Sequence, residues 1–215
     1  MKSVFKIARL TGPLGGSRGL PFLRFLPLAA LLLALSLLPS PARAQAVYWT
    51  TRDLLSDFFK QSEKVGFRKF ELSAGQCGHI EQRLGYRLPE NKTTYTFFVA
   101  ETAGHVDGYA FIDDEVGQHM PITYAVKLSP SGTVERQEIV AYREARGDEV
   151  RDARFRAQFV GKTAHDPLRP GDDVVAVSGA TISSRAMATG VRRALVLLDE
   201  LMLRPQQAAS ASARR

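Results

Sequence analysis

Ile122, Tyr124, Val126 and Leu128 alternate with Thr123, Ala125 and Lys127. A hydrophobic period of two puts one set of side chains on a single face only if the chain is extended, so this stretch reads as a strand with a buried face. Ser129-Pro130-Ser131-Gly132 follows, a cluster of turn-forming residues, and Thr133 to Tyr142 is again rich in β-branched and apolar residues. A strand, a short turn and a second strand make an antiparallel hairpin. Thr93 to Ala100 and Gly108 to Ile112 have the same aromatic and β-branched texture and read as further strands of that sheet.

Helical spacing brackets this block. Leu54, Leu55, Phe58 and Phe59 predict a short helix over 51–60 with Thr51 or Asp53 as its cap, and Ile80 and Leu84 predict a second between Ser73 and Leu84 that Gly85 ends. After an apolar run, Val174 to Val177, read as a buried strand, Ala186, Met187, Val191, Ala194, Leu195, Leu198 and Met202 form a stripe of period 3.6, the longest helix. Pro205 is expected to close it, leaving 205–215, rich in Ala and Ser, as a disordered tail. Helices, then strands, then a helix give an α+β fold with a mainly antiparallel sheet.

Residues 1–24 carry Lys2, Lys6, Arg9, Arg18 and Arg24 and no acid, Phe25 to Leu38 is apolar, and Ala42-Arg43-Ala44 has the small-x-small pattern of a signal-peptidase site. The apolar run is short for a membrane span, so 1–44 reads as a cleaved signal peptide, with an uncleaved anchor as the alternative; either places the domain, 45–204, in the periplasm. No arginine pair precedes the apolar run, so a twin-arginine signal is not indicated and any cofactor arrives after translocation.

The net charge of +7 largely belongs to that leader: six of the 29 bases lie in residues 1–44, leaving 23 against 22 acids. A nearly neutral domain lacks the clustered bases that nucleic-acid binding needs, and no nucleic-acid partner is expected. Cys77 is the one cysteine, which excludes an intrachain disulfide, a CxxC redox pair and a CxxCH haem site. His79, His105, His119 and His165 are scattered without metal-ligand spacing, and no metal is expected. A hydrolase built on Ser178 lacks both elbow glycines, and Thr181 stands where a Ser-x-x-Lys site needs lysine.

The segment that carries chemistry is Ser178-Gly179-Ala180-Thr181-Ile182-Ser183-Ser184, between the apolar run and the longest helix. Gly179 permits close approach and unusual torsions, the first helical turn offers unpaired N–H groups at the positive end of the dipole, and the serine hydroxyls add donors. Together these suit a phosphate. On spacing alone the same residues also read as an ordinary turn and helix cap.

Ser178-Gly179-Ala180-Thr181 resembles the mark of the FMN-binding domain shared by a subunit of the sodium-translocating NADH:quinone reductase, a subunit of the Rnf complex and the nitrous oxide reductase expression regulator. Tyr142 to Val150, Gln158-Phe159-Val160-Gly161 and Gly108-Tyr109 look like segments of its exported single-domain members, so the likeness covers most of 51–203. The resemblance implies FMN joined through its phosphate to the Thr181 hydroxyl by a separate flavin transferase. It implies an electron carrier without turnover of its own that works with membrane or periplasmic redox proteins. It also brings Glu144, Arg146 and Gly147 toward the flavin, although a solvated turn with a surface ion pair is an equally ordinary reading of those three. Val175 stands where the redox-complex members usually carry an aspartate. The alternative is a non-redox regulatory or binding module of the same fold, holding FMN without a bond or not at all.

Overall fold

The computed structural model describes residues 45–212; the expected signal peptide, and the last three residues of the expected tail, lie outside the described residues. Six strands form one antiparallel sheet: β1 (Ala46–Val47), β2 (Lys64–Glu71), β3 (Thr94–Thr102), β4 (His105–Val116), β5 (Pro121–Leu128) and β6 (Val134–Tyr142), in the order β1-β6-β5-β4-β3-β2. The helices are α1 (Thr51–Phe58), α2 (Ala74–Leu84), α3 (Ala153–Ala157), α4 (Thr181–Leu198) and α5 (Arg204–Ser212), with a 3₁₀ turn at Asp148–Arg151. The α+β class and the mainly antiparallel sheet are as expected.

The hairpin of β5 and β6 closes as its sequence dictates. Gly132, at φ +84°, donates to the Ser129 carbonyl (3.0 Å), and Ser129 donates to that of Thr133 (2.9 Å). Ile122, Tyr124, Val126 and Leu128 are all fully buried beneath α4 in the main core. The sheet's other face is closed in part by α1, through Leu54, Phe58 and Phe59 against Ala100, Ala110, Ala125 and Val140.

Several expectations need correction. Thr50, not Thr51 or Asp53, caps α1, its hydroxyl accepting the Asp53 N–H at 3.1 Å. β2 lies outside the expected runs because it is an edge strand whose alternation breaks: Val65 and Phe67 are exposed, whereas Phe70 turns to the other face, edge-on to Phe97. Val174 to Val177 forms no strand; apart from a single bridge of Val174 with Pro170 it is irregular, and Val175 is 74% exposed. The Gln158 carboxamide takes the place of a neighbouring strand, accepting the Val175 N–H (2.7 Å) and donating to its carbonyl (3.1 Å). Pro205 does not end the last helix. Asp199–Leu203 is a π turn, in which Arg204 donates to the Asp199 carbonyl, and the wider register admits a proline ring at the second residue of α5. Residues 205–212 are therefore helical, though wholly exposed.

Two contacts seat α4 on the sheet. At Gly190 a side chain would meet the Tyr124 ring at 2.6 Å, and the Tyr124 hydroxyl donates to the Gly190 carbonyl at 2.9 Å. Arg193, 1% exposed, reaches Glu115 (2.5 Å), Asp113 (3.2 Å) and the Asp114 carbonyl (3.0 Å) on β4, and Lys92 also pairs with Asp113. These partners explain the acids at Asp113 and Glu115; the Asp114 carboxylate points to the other side and accepts from the Thr123 hydroxyl. Replacing Arg193 by Met leaves two carboxylates in the core without their main counter-charge. Urea unfolding of Arg193→Met is expected to show a loss of about 3–5 kcal/mol.

Candidate functional site

The approach to α4 is pinned before the turn itself. The Asp173 carboxylate accepts from the N–H groups of Arg169 (2.7 Å) and Leu168 (3.2 Å) and pairs with Lys162 (3.1 Å). Burial alone would raise its pKa, but these donors outweigh it and hold the group below its ordinary range. Gln158 then fixes Val175, and the chain enters the turn with Gly179 at φ +82°, a conformation that favours glycine. A Cβ at Gly179 would meet no atom within 4 Å, so the requirement there is torsional and the space beside the turn is open.

Ala180 is the N-cap of α4 and is buried, whereas Ser178, Gly179, Thr181 and Ile182 are exposed. Ala180 makes no side-chain cap; the turn is closed from within the helix. The Ser184 hydroxyl, fully buried, donates to the Ala180 carbonyl (2.9 Å) and accepts the Val177 N–H (3.0 Å). The Ser184 N–H also goes to the Ala180 carbonyl, at 2.8 Å. The N–H groups of Thr181, Ile182 and Ser183 have no partner among the described residues. Three free donors at the positive end of an 18-residue helix, beside the exposed Thr181 hydroxyl, are an arrangement that suits an anion.

Ser183 faces the loop after β6. Its oxygen lies 2.7 Å from the Tyr142 hydroxyl, which also lies 2.6 Å from the Arg146 carbonyl. A carbonyl only accepts, so Tyr142 gives its one proton to Arg146 and Ser183 gives its own to Tyr142. Burial pushes the Tyr142 phenol above its ordinary value, against the opposing pull of Ser183, so that proton stays in place at neutral pH. Gly147, at φ +92°, is the closest approach of this loop: a Cβ would stand 2.6 Å from the Ser183 oxygen and 2.8 Å from that of Tyr142.

The structure thus joins Arg146 and Gly147, through Tyr142, to the first turn of α4. Glu144 points elsewhere. Its carboxylate accepts from the N–H groups of His119 (2.5 Å) and Met120 (2.9 Å) and holds the turn between β4 and β5. Arg146 is exposed, and its guanidinium has no ion pair among the described residues. The hydroxyl protons of Ser183 and Ser184 are both directed inward, so these two serines shape the turn rather than present donors. Ser178 is exposed and keeps its hydroxyl at the surface.

The sequence offered Tyr142 and Gln158 only as parts of the segments that carry the family likeness and did not single out Arg185; the structure places all three at or beside the turn. Arg185 stands four residues after Thr181 on the same helical face, exposed and without an ion pair among the described residues, and its i, i+4 spacing was the available signal. Tyr142 and Gln158 act through contacts far apart in sequence. A cleft between α1 and the sheet, lined by Asp57, Lys60, Lys127 and Arg136 among others, does not reach Thr181, and its charges are largely paired with one another, as in Arg136 with Asp57 (2.6 Å). The Thr181 turn is an open surface feature.

A family model covers this turn and its neighbours together. Residues 117–196 match the FMN-binding domain family. The matched span begins at the turn held by Glu144, takes in β5, β6, the Tyr142–Gly147 loop and the Thr181 turn, and ends within α4. FMN is the cofactor this FMN-binding match indicates. The donor set fits it: three unpartnered N–H groups and an open approach suit a phosphate, and Val175 and Ile182 supply exposed apolar surface on either side of the turn. The chain is also similar to two solved structures. The crystal structure of Shewanella oneidensis NqrC is 19% identical, with a TM-score of 0.43 over 63% of this chain and 79% of that one. That of a Na(+)-translocating NADH-quinone reductase subunit from Parabacteroides distasonis is 16% identical, with a TM-score of 0.39 over 69% and 85%. No curated protein matches the chain in sequence.

Burial raises the Glu144 pKa, but the N–H groups of Met120, His119 and Gln118 outweigh it and hold the value below the ordinary carboxylate range. A lowered folded-state pKa contributes stability that is present above the unfolded value and lost as pH falls through the folded one. The advantage of wild type over Glu144→Gln in urea midpoint is therefore expected at pH 7 and should shrink toward pH 3.

Proposed function

We propose that the protein is an exported electron-transfer flavoprotein whose FMN is esterified through its phosphate to Thr181. The observation that carries this reading is the exposed Thr181 hydroxyl beside three unpartnered N–H groups, inside the span that matches the FMN-binding domain. The N–H groups of Thr181, Ile182 and Ser183 bind phosphate oxygens, Gly179 keeps the approach open, and Arg185 adds a cation one turn along. FMN supplies the redox couple; the chain supplies the anchor, the orientation and the charge around it.

An open turn cannot retain a cofactor by enclosing it, and a carrier loaded outside the cytoplasm works in dilute flavin. A covalent bond removes dissociation. In a separate flavin transferase the Thr181 oxygen forms a bond to the FMN-side phosphorus of FAD, the bond from that phosphorus to the AMP moiety breaks, and the hydroxyl proton leaves to solvent. AMP is the second product. Nothing buried has to open for this, because Thr181 stands on the surface. Residues 1–44 act as the signal for export, and membrane or periplasmic redox proteins serve as donor and acceptor.

Co-expression with a flavin transferase and intact-mass measurement tests the reading. Wild type is expected to gain one FMN, Thr181→Ser to gain it in part, and Thr181→Ala to gain none while its stability stays within about 0.5 kcal/mol of wild type. Equal gain by Thr181→Ala would refute the attachment site. A protein that binds flavin without a mass gain would favour the regulatory or binding module, for which the exposed Val175 in the usual place of an aspartate gives a specific reason.

A further inference from the structure

The loop from Arg143 to Gly147 is held at both ends and leaves one charge unspent. At its start Arg143 donates to the Pro121 carbonyl (3.1 Å) and the Thr123 hydroxyl (2.8 Å). Beyond it Arg151 lies 3.4 Å over the Tyr48 ring, which ties the 3₁₀ turn to the residue after β1. The loop's acid, Glu144, is occupied by the N–H groups of His119 and Met120. Its second base, Arg146, has no ion pair among the described residues, although Asp148 and Glu149 follow closely.

Between these ends the loop touches the phosphate-binding turn through one hydroxyl. Tyr142 is 4% exposed and sits at the end of β6, so its ring is fixed by the core while its oxygen receives Ser183 and holds the Arg146 carbonyl. Gly147 lets the loop come this close, since any side chain there would strike both oxygens. The carbonyl under restraint belongs to the residue that carries the free cation.

We propose that Tyr142 is a positioning residue for the flavin site: its hydroxyl, closed between Ser183 and the Arg146 carbonyl, holds the backbone that carries the Arg146 cation beside the turn that carries Thr181. The proposal rests on the reading that Thr181 bears FMN. A cation held there stabilises the negative charge that the flavin gains on reduction and raises its potential; a cation on a loose loop is averaged into solvent and does so less. The ring of Tyr142 serves the core, and the hydroxyl serves the site, so the two roles separate in Tyr142→Phe.

Two measurements test this. In the unloaded protein, NMR order parameters at Arg146 and Gly147 are expected to fall in Tyr142→Phe from the rigid range of about 0.85 toward the flexible range below about 0.6. In the loaded protein, the midpoint potential is expected to move negative in Tyr142→Phe and in Arg146→Gln, with the double variant shifted no further than Arg146→Gln alone. Additive shifts would overturn the proposal. So would a Tyr142→Phe potential equal to wild type, whether or not the loop loosens, or an Arg146→Gln potential that does not move. Wild type that gains no FMN in mass would instead overturn the Thr181 reading beneath it, an outcome distinct from any of these.

Discussion

Arg193 carries a guanidinium into the core, where Asp113 and Glu115 meet it from β4, and one turn earlier Gly190 lies against the Tyr124 ring on β5. Each contact alone admits some sliding of a helix on a sheet. Together they fix α4 along its axis, because the ion pair demands two carboxylates and the glycine demands one ring. Burying these charges is costly unless every partner is present, so a shift of even one residue along the helix is strongly disfavoured. The first turn of α4 lies three turns away from this seat, and its place relative to β6 follows from it. Without that register Ser183 would not meet Tyr142 and Gly147 would have nothing to approach.

The sheet and the longest helix were legible because their apolar periods are strong, even though Ala186 to Leu198 is buried almost all round. Tyr124 and its neighbours alternate, and the stripe from Ala186 to Met202 keeps to one face. Where the period breaks and side chains stand exposed the signal failed. β2 is an exposed edge whose Val65 and Phe70 face opposite ways, and Val174 to Val177 is apolar without being a strand because a side-chain amide from Gln158 completes its hydrogen bonds. Pro205 misled because a single π turn alters which carbonyl the proline ring confronts.

At the candidate site, the turn and the loop singled out by the sequence lie together, but their polar atoms are used differently from what residue type suggests. Residue type suggested that serines offer donors to phosphate. The observed geometry turns the protons of Ser183 and Ser184 inward, which gives the turn its shape, and leaves outward donation to the peptide groups beside Thr181. Glu144 likewise organises a neighbouring turn. The assignments of Ser183 and Glu144 depend on which atom faces which across 24 to 41 residues of chain, and no local pattern encodes them; that of Ser184 is local, made to Ala180 and Val177.

The donors left free at the head of α4 are peptide N–H groups, which do not titrate in the range where proteins are folded. Histidine or carboxyl groups in the same position would change charge with their surroundings and couple anion binding to acidity. A backbone cradle has no such dependence. What this turn itself offers an anion therefore stays the same where the acidity of the medium does not.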